Sequence, residues 1–190
     1  MGTTVFTIII IILIFDYLFE QFLDYLNYTR RTSQLPEELA DVYDSEKYKK
    51  QQQYEKATSR FGFLSSTFGF LLVLLMFIFE GFAFVDELAR QITVHPILIA
   101  LVFSGILMFA SDILGIPFEL YSIFVIEEKF GFNKTTPKTY ITDKLKGWLL
   151  SAIIGGGIMA LIIWFYLLSG SMFWIYAWIA ISAFSIFMSM

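Results

Sequence analysis

The stretch WLLSAIIGGGIMALIIWFYLLSGSMFWIYAWIAISAFSIFMSM, Trp148 to Met190, carries no charged side chain. A helix needs ~20 apolar residues to cross a hydrocarbon core ~30 Å thick. The two halves, Trp148 to Leu168 and Met172 to Met190, each approach that length. Between them stand Ser169, Gly170 and Ser171, enough for a tight turn and too few for a domain. Polar and apolar residues do not alternate as they would in membrane strands. The stretch therefore reads as a membrane helical hairpin.

Working outward, three further apolar segments appear: about Val5 to Tyr25, Phe61 to about Val85, and Pro96 to about Val125. The last is interrupted by Asp112, Pro117 and Glu119. The composition agrees. Of 190 residues 57% are hydrophobic, 22 are Phe, and the mean hydropathy is +0.70, whereas soluble domains run at about 45–50% apolar. The expectation is an all-α integral membrane fold. Residues 1–190 form a single transmembrane region of five helices, with a helical cytoplasmic loop between the first and second.

Composition also excludes function classes. With no cysteine there is no disulfide, thiolate zinc site or cysteine nucleophile. A net charge of −4 and a pI near 5.0 argue against nucleic acid as a partner; the lipid bilayer is the expected one. The N-terminal apolar run lacks a basic flank, exceeds an ordinary signal core and ends in no small-x-small site, so it is not read as a cleaved signal. No HExxH, GxSxG or P-loop occurs in the chain. His95, the one histidine, has no acid at ligand spacing and is read as a loop residue without a metal.

Charge placement orients the spans. Arg30, Arg31, Lys47, Lys49, Lys50, Lys56 and Arg60 lie between the first and second. Lys129, Lys134, Lys138, Lys144 and Lys146 lie between the third and fourth, and Arg90 alone between the second and third. Basic loops stay in the cytoplasm. Five spans with the N-terminus outside put both basic loops inside. In the first of these loops Pro36 marks a helix start, Asp44 or Ser45 caps a second helix running into the second span, and Glu46 and Lys50 stand at i,i+4.

Several acids fall at membrane depth. Asp16, Glu20 and Asp24 recur every fourth residue and share one helical face. Carboxylates at that depth normally face a bundle interior or water. The face then lines a hydrated cavity, or its acids reach the interface. Asp112 precedes Gly115, Pro117 and Glu119, where proline kinks or ends a helix. It either lines the same cavity or pairs with a neighbouring helix. Gly155 to Gly157, with Ser151, Ala152 and Ala160, offer a smooth face for close helix packing.

Three stretches, LPEEL (Leu35 to Leu39), YDSEKYKKQQQYEKATSRFGFLSS (Tyr43 to Ser66) and FVIEEKFGFNKTTPKTYITDKLKGWLL (Phe124 to Leu150), together resemble the N-terminal membrane region of the Ste24-type CaaX prenyl proteases of peptidase family M48. The resemblance covers essentially the whole chain, and its wording is closer to a bacterial member than a eukaryotic one. It implies helices enclosing a water-filled intramembrane chamber, and a zinc held by an HExxH helix plus a downstream Glu in the full-length protein. It implies a metalloendopeptidase cleaving peptide or prenylated protein substrates, in the inner membrane of a bacterium or the endoplasmic reticulum of a eukaryote.

This chain has neither HExxH nor a second histidine, so it is read as the five-helix part, inactive alone, with the C-terminal catalytic part of the same protein as its partner. No catalytic or metal residue carries over. Asp16, Glu20, Asp24, Asp112 and Glu119 become candidate chamber-lining groups, and Glu127, Glu128, Asn133 and Lys134 a candidate interface with the catalytic part. The competing reading is a standalone membrane scaffold or small transporter.

Overall fold

A computed structural model of the chain describes residues 2–31 and 44–189. Pro36 and LPEEL fall outside the described residues. Six helices follow one another, and no strand occurs among the described residues. Helix α1 spans Gly2–Arg30, α2 Ser45–Ile78 and α3 Gly81–Ile92. Helix α4 is a continuous run over Pro96–Phe130, α5 one over Pro137–Ser169, and α6 spans Phe173–Ser189. α1, α2, α4 and α5 are long and apolar enough to cross a membrane, and α6 is a shorter apolar helix.

The helix ends follow from local chemistry. The Asp44 carboxylate accepts the Glu46 and Lys47 amides at 2.8 and 3.2 Å and starts α2. Those two bonds, to Lys47 first and Glu46 second, hold the Asp44 pKa below its ordinary value. Thr136, extended because Pro137 follows it, caps α5 by accepting the Thr139 amide at 3.1 Å. The α5–α6 hairpin turns at Gly170, whose φ of 52° suits a residue without a Cβ.

One expectation needs correction. The second apolar segment is not one helix to Val85. It breaks at Phe79 and Glu80, where Glu80 takes a φ of 55°, and a separate amphipathic helix follows. Apolar composition continues across the break, so hydropathy does not register it. Of the two outcomes expected at Pro117, a kink or an end, the end does not occur. Helix α4 runs through Pro117 to Tyr121, then widens into a π-turn over Ser122–Glu127. A second π-turn, Ser151–Gly155, interrupts α5.

The chain forms two compact units. The first holds residues 1–81 and 114–134, the second 82–113 and 135–190. In the first, α1 and α2 run antiparallel along a seam marked by Phe6–Phe77 and the stacked pair Tyr17–Phe70, whose centroids lie 6.3 and 4.1 Å apart. Phe61 and Phe68 of α2 meet Phe118 of α4 at 6.0 and 4.9 Å. In the second, Phe109 of α4 meets Trp148 of α5 edge-on at 4.9 Å. Tyr166–Phe173 and Phe165–Tyr176 join α5 to α6. Buried hydrophobic residues are few among those described: Val85, Ala89, Ile126, Phe130 and Ala177. Most large apolar side chains point outward, the pattern of helices solvated by lipid.

Candidate functional site

The first unit carries a polar seam inside apolar surroundings. Between α1 and α2, Tyr17 Oη and Thr67 Oγ1 share a hydrogen bond of 2.7 Å, and Gln21 Nε2 donates to Ser66 Oγ at 3.0 Å. Nearer the basic loop, Arg60 Nε donates to Tyr28 Oη at 2.9 Å. Arg31 donates to the Glu55 carbonyl at 2.8 Å and to Ser59 Oγ at 2.6 Å, and faces the Glu55 carboxylate at 3.4 Å. Hydroxyl and amide pairs of this kind fix two helices in register where lipid offers no competing partner.

Asp16, Glu20 and Asp24 stand on the flank of that seam, and all three are exposed. At 100° per residue, Asp16 lies about a quarter turn from Tyr17 and Asp24 is nearly in line with it. The stripe thus runs obliquely toward the α2 contact, and none of its members forms an ion pair with a described residue. Glu119, on α4, is half-buried.

Asp112 sits in the second unit and is engaged. Its Oδ1 accepts Lys144 Nζ at 2.7 Å and its Oδ2 accepts Trp148 Nε1 at 2.7 Å. Lys144 also lies over the Tyr140 ring at 6.0 Å. Of the two readings weighed for Asp112, the geometry displays pairing with a neighbouring helix. Lys144 and Trp148 are sequence-distant from it, so one sequence gives no signal that would have selected them.

The segment after α4 is built on the side of α2. Gly131, with φ 69°, closes α4 by donating its amide to the Glu128 carbonyl at 3.0 Å. The Phe132 amide returns to the Glu127 carbonyl at 2.9 Å. Asn133 Nδ2 donates to Glu128 Oε2 at 2.9 Å, so two members of the expected interface bind each other. Lys134 is exposed. Residues not selected for this interface from the sequence do the anchoring. Tyr54 packs edge-on against Phe130 and Phe132 at 5.7 and 4.9 Å, and Lys50 Nζ lies 5.5 Å from the Phe132 centroid. Lys50 reaches this ring in place of the expected pair with Glu46. The signal available was the phenylalanine on each side of Gly131.

The residues present do not fit a zinc site. His95 is the one histidine of the chain, and among the described residues no three His, Cys, Asp or Glu side chains converge.

Residues 24–190 match the family described as CAAX prenyl protease N-terminal, five membrane helices. The probable CAAX prenyl protease 1 of Schizosaccharomyces pombe is 34% identical over 160 residues, covering 75% of this chain and 33% of that protein. The CAAX prenyl protease 1 homolog of Dictyostelium discoideum is 32% identical over 184 residues, covering 91% of this chain and 43% of that one. Among solved structures, the crystal structure of S. mikatae Ste24p superposes with a TM-score of 0.82 at 30% identity, covering 92% of this chain and 42% of that one. The chain thus spans between a third and about two-fifths of the length of these relatives.

Proposed function

Since the chain belongs to the CAAX prenyl protease N-terminal family, and is the multi-pass membrane domain of a Ste24-type protease, we propose that its helices form part of the wall of an intramembrane chamber in which the rest of the protease works. The observation that carries this reading is the acid stripe of α1. Asp16, Glu20 and Asp24 are exposed on a membrane-spanning helix, without an ion-pair partner among the described residues. A carboxylate facing hydrocarbon is unfavourable by several kcal/mol, so such a face is turned to water or to further protein. A water-filled chamber meets that requirement along the whole stripe.

In this reading the helices exclude lipid, hold water and present a polar wall to a peptide or prenylated protein substrate. The catalytic part of the protease supplies the zinc and the hydrolytic groups, and this domain alone is inactive. The segment from Glu127 to Lys134 faces that part. Glu119 joins the chamber lining where α4 passes it, while Asp112 is held by Lys144 and Trp148. Both basic loops lie in the cytoplasm. The membrane is the endoplasmic reticulum in a eukaryote and the inner membrane in a bacterium. Membership of a protease family weighs against a standalone scaffold or transporter.

The test is aqueous access. This chain has no cysteine, so single cysteines at positions 16, 20 and 24 can be read once any in the rest of the protease are replaced. In the full-length protease in proteoliposomes, a charged maleimide should modify all three, and a bulky substrate peptide should slow the reaction. Positions 16 and 20 refusing the charged reagent while accepting a lipid-soluble one would sink the chamber assignment.

A further inference from the structure

Helix α3 is too polar to count among the apolar helices of the chain, and it stands between two that are membrane-spanning in length. Its sequence, GFAFVDELARQI, divides cleanly at 100° per residue. Phe84, Leu88, Gly81, Ile92, Val85, Ala89 and Phe82 occupy one continuous arc. Asp86, Arg90, Ala83, Glu87 and Gln91 occupy the other. Within the apolar arc, Val85 and Ala89 are buried, at 7% and 0% exposure. Phe84 at its edge and Ile92 at its middle are left open at 62% and 68%. On the polar arc Arg90 Nε and Asp86 Oδ2 pair at 2.6 Å, and Glu87 and Gln91 are exposed.

What covers these open side chains follows from how tightly α3 is tethered. At its start the chain folds back on the last turn of α2. A Cβ on Gly81 would lie 2.5 Å from Met76 Sδ and 3.3 Å from Met76 Cα. The first residue of α3 is therefore level with the last turn of a membrane-spanning helix. At its end, Thr93 to His95 connect it to Pro96, the first residue of α4. Three connecting residues reach at most ~14 Å between flanking Cα atoms. A helix of this length rises ~18 Å, so an upright α3 would carry its far end beyond that reach. The helix is thus tethered closely at both ends, to α2 at its start and by three residues to α4 at its end.

We infer that α3 is an in-plane interfacial helix, with the Phe84–Leu88–Ile92 stripe seated in the boundary between lipid headgroups and acyl chains. The partner is the bilayer itself on the side opposite the two basic loops. The Asp86–Arg90 pair, Glu87 and Gln91 face the headgroups and water. Its near-neutral polar arc distinguishes it from basic helices that require anionic lipid, so it seats on zwitterionic lipid equally well. The inference is independent of the chamber reading.

The experiment places a nitroxide on single cysteines at 84, 92, 87, 90 and 91 of the protein in phosphatidylcholine proteoliposomes. Collision with oxygen, which concentrates in acyl chains, is compared with collision with a water-soluble nickel chelate. The expected result is oxygen dominating at 84 and 92 and nickel at 87, 90 and 91, an oscillation with the helical period. Nickel dominating at 84 and 92 would put the stripe in water and overturn the inference. So would protection from both reagents at those positions, which would mean that protein covers the stripe. Positions 84 and 92 report independently, so if one variant fails to fold the other decides.

Discussion

Asp112 offers the sharpest energetic test, because its two partners can be removed separately. Its carboxylate accepts Lys144 Nζ and Trp148 Nε1, both at 2.7 Å, and the Asp112 and Lys144 side chains are 32% and 18% exposed. Surface ion pairs contribute about 0–1 kcal/mol. Breaking a fully buried pair by removing one partner costs about 3–5 kcal/mol. Exposure of a fifth to a third places Lys144→Met between these limits, at ~2 kcal/mol, or roughly thirtyfold in the folding equilibrium. Trp148→Phe loses one hydrogen bond to a charged group but keeps the ring against Phe109, so ~1 kcal/mol is expected. Asp112→Leu combined with Lys144→Met leaves no charge unpaired. That double variant should be milder than the sum of the single losses by ~1–2 kcal/mol. The measurement is unfolding of the reconstituted protein in mixed micelles of rising dodecyl sulfate fraction, followed by circular dichroism. Additivity of the singles to within about 0.3 kcal/mol would refute the coupling and with it the pairing reading of Asp112.

The other tests act on single sites. Glu80 holds a left-handed φ of 55°, which disfavours an L side chain by ~1 kcal/mol, so Glu80→Gly should raise the unfolding midpoint slightly. Gly131→Ala should lower stability by ~1 kcal/mol, because φ is 69° there, and Gly131→Asn should lose less. Steric room is adequate at that position, the nearest atom being Lys50 Nζ at 3.5 Å from the added Cβ. Asp44 has a folded pKa below 3.8, so its capping contribution is fully present above that value and is lost as pH falls through the lower folded one. Amide exchange at Glu46 and Lys47 should therefore accelerate, relative to the intrinsic rate, under strongly acidic conditions, and Asp44→Ala should show the same acceleration at neutral pH. Tyr54→Ala removes two edge-on aromatic contacts and should free the segment around Phe132, seen as faster proteolysis there while the spans persist.

The helices were legible in the sequence because lipid solvation writes them as long apolar runs, and basic residues mark where those runs end. Thr136-Pro137 and Gly131 were legible for a different reason: their backbone preferences are local. The corner at Phe79–Glu80 was not, since Phe82, Phe84 and Val85 keep the window hydrophobic while the chain has already turned. The π-turns leave no compositional trace. Asp112 was visible as a residue needing a partner, but Lys144 and Trp148 are set by how α4 packs on α5, which no local rule reports. Glu128 and Asn133 were selected as outward contacts, and the structure binds them to each other. Their role toward the rest of the protease rests on family membership. Tyr54 and Lys50 stand in a helical stretch whose polarity suggests solvent, while the Tyr54 ring meets Phe130 and Phe132 and the Lys50 ammonium lies over Phe132.

The π-turn at Ser122–Glu127 has a bearing on how this span tolerates changes in length. A π-turn houses one residue more than the α-turn it replaces, through its wider hydrogen-bond ring. Losing one residue between Ser122 and Glu127 would let the turn relax to α-helix, with the phase of Phe130 and Gly131 against Tyr54 retained. One lost from the regular part of α4, between Ile97 and Ala110, would rotate everything beyond it by about 100° and tear Asp112 from Lys144. The span thus carries its own slack, stored next to the segment that must arrive in register.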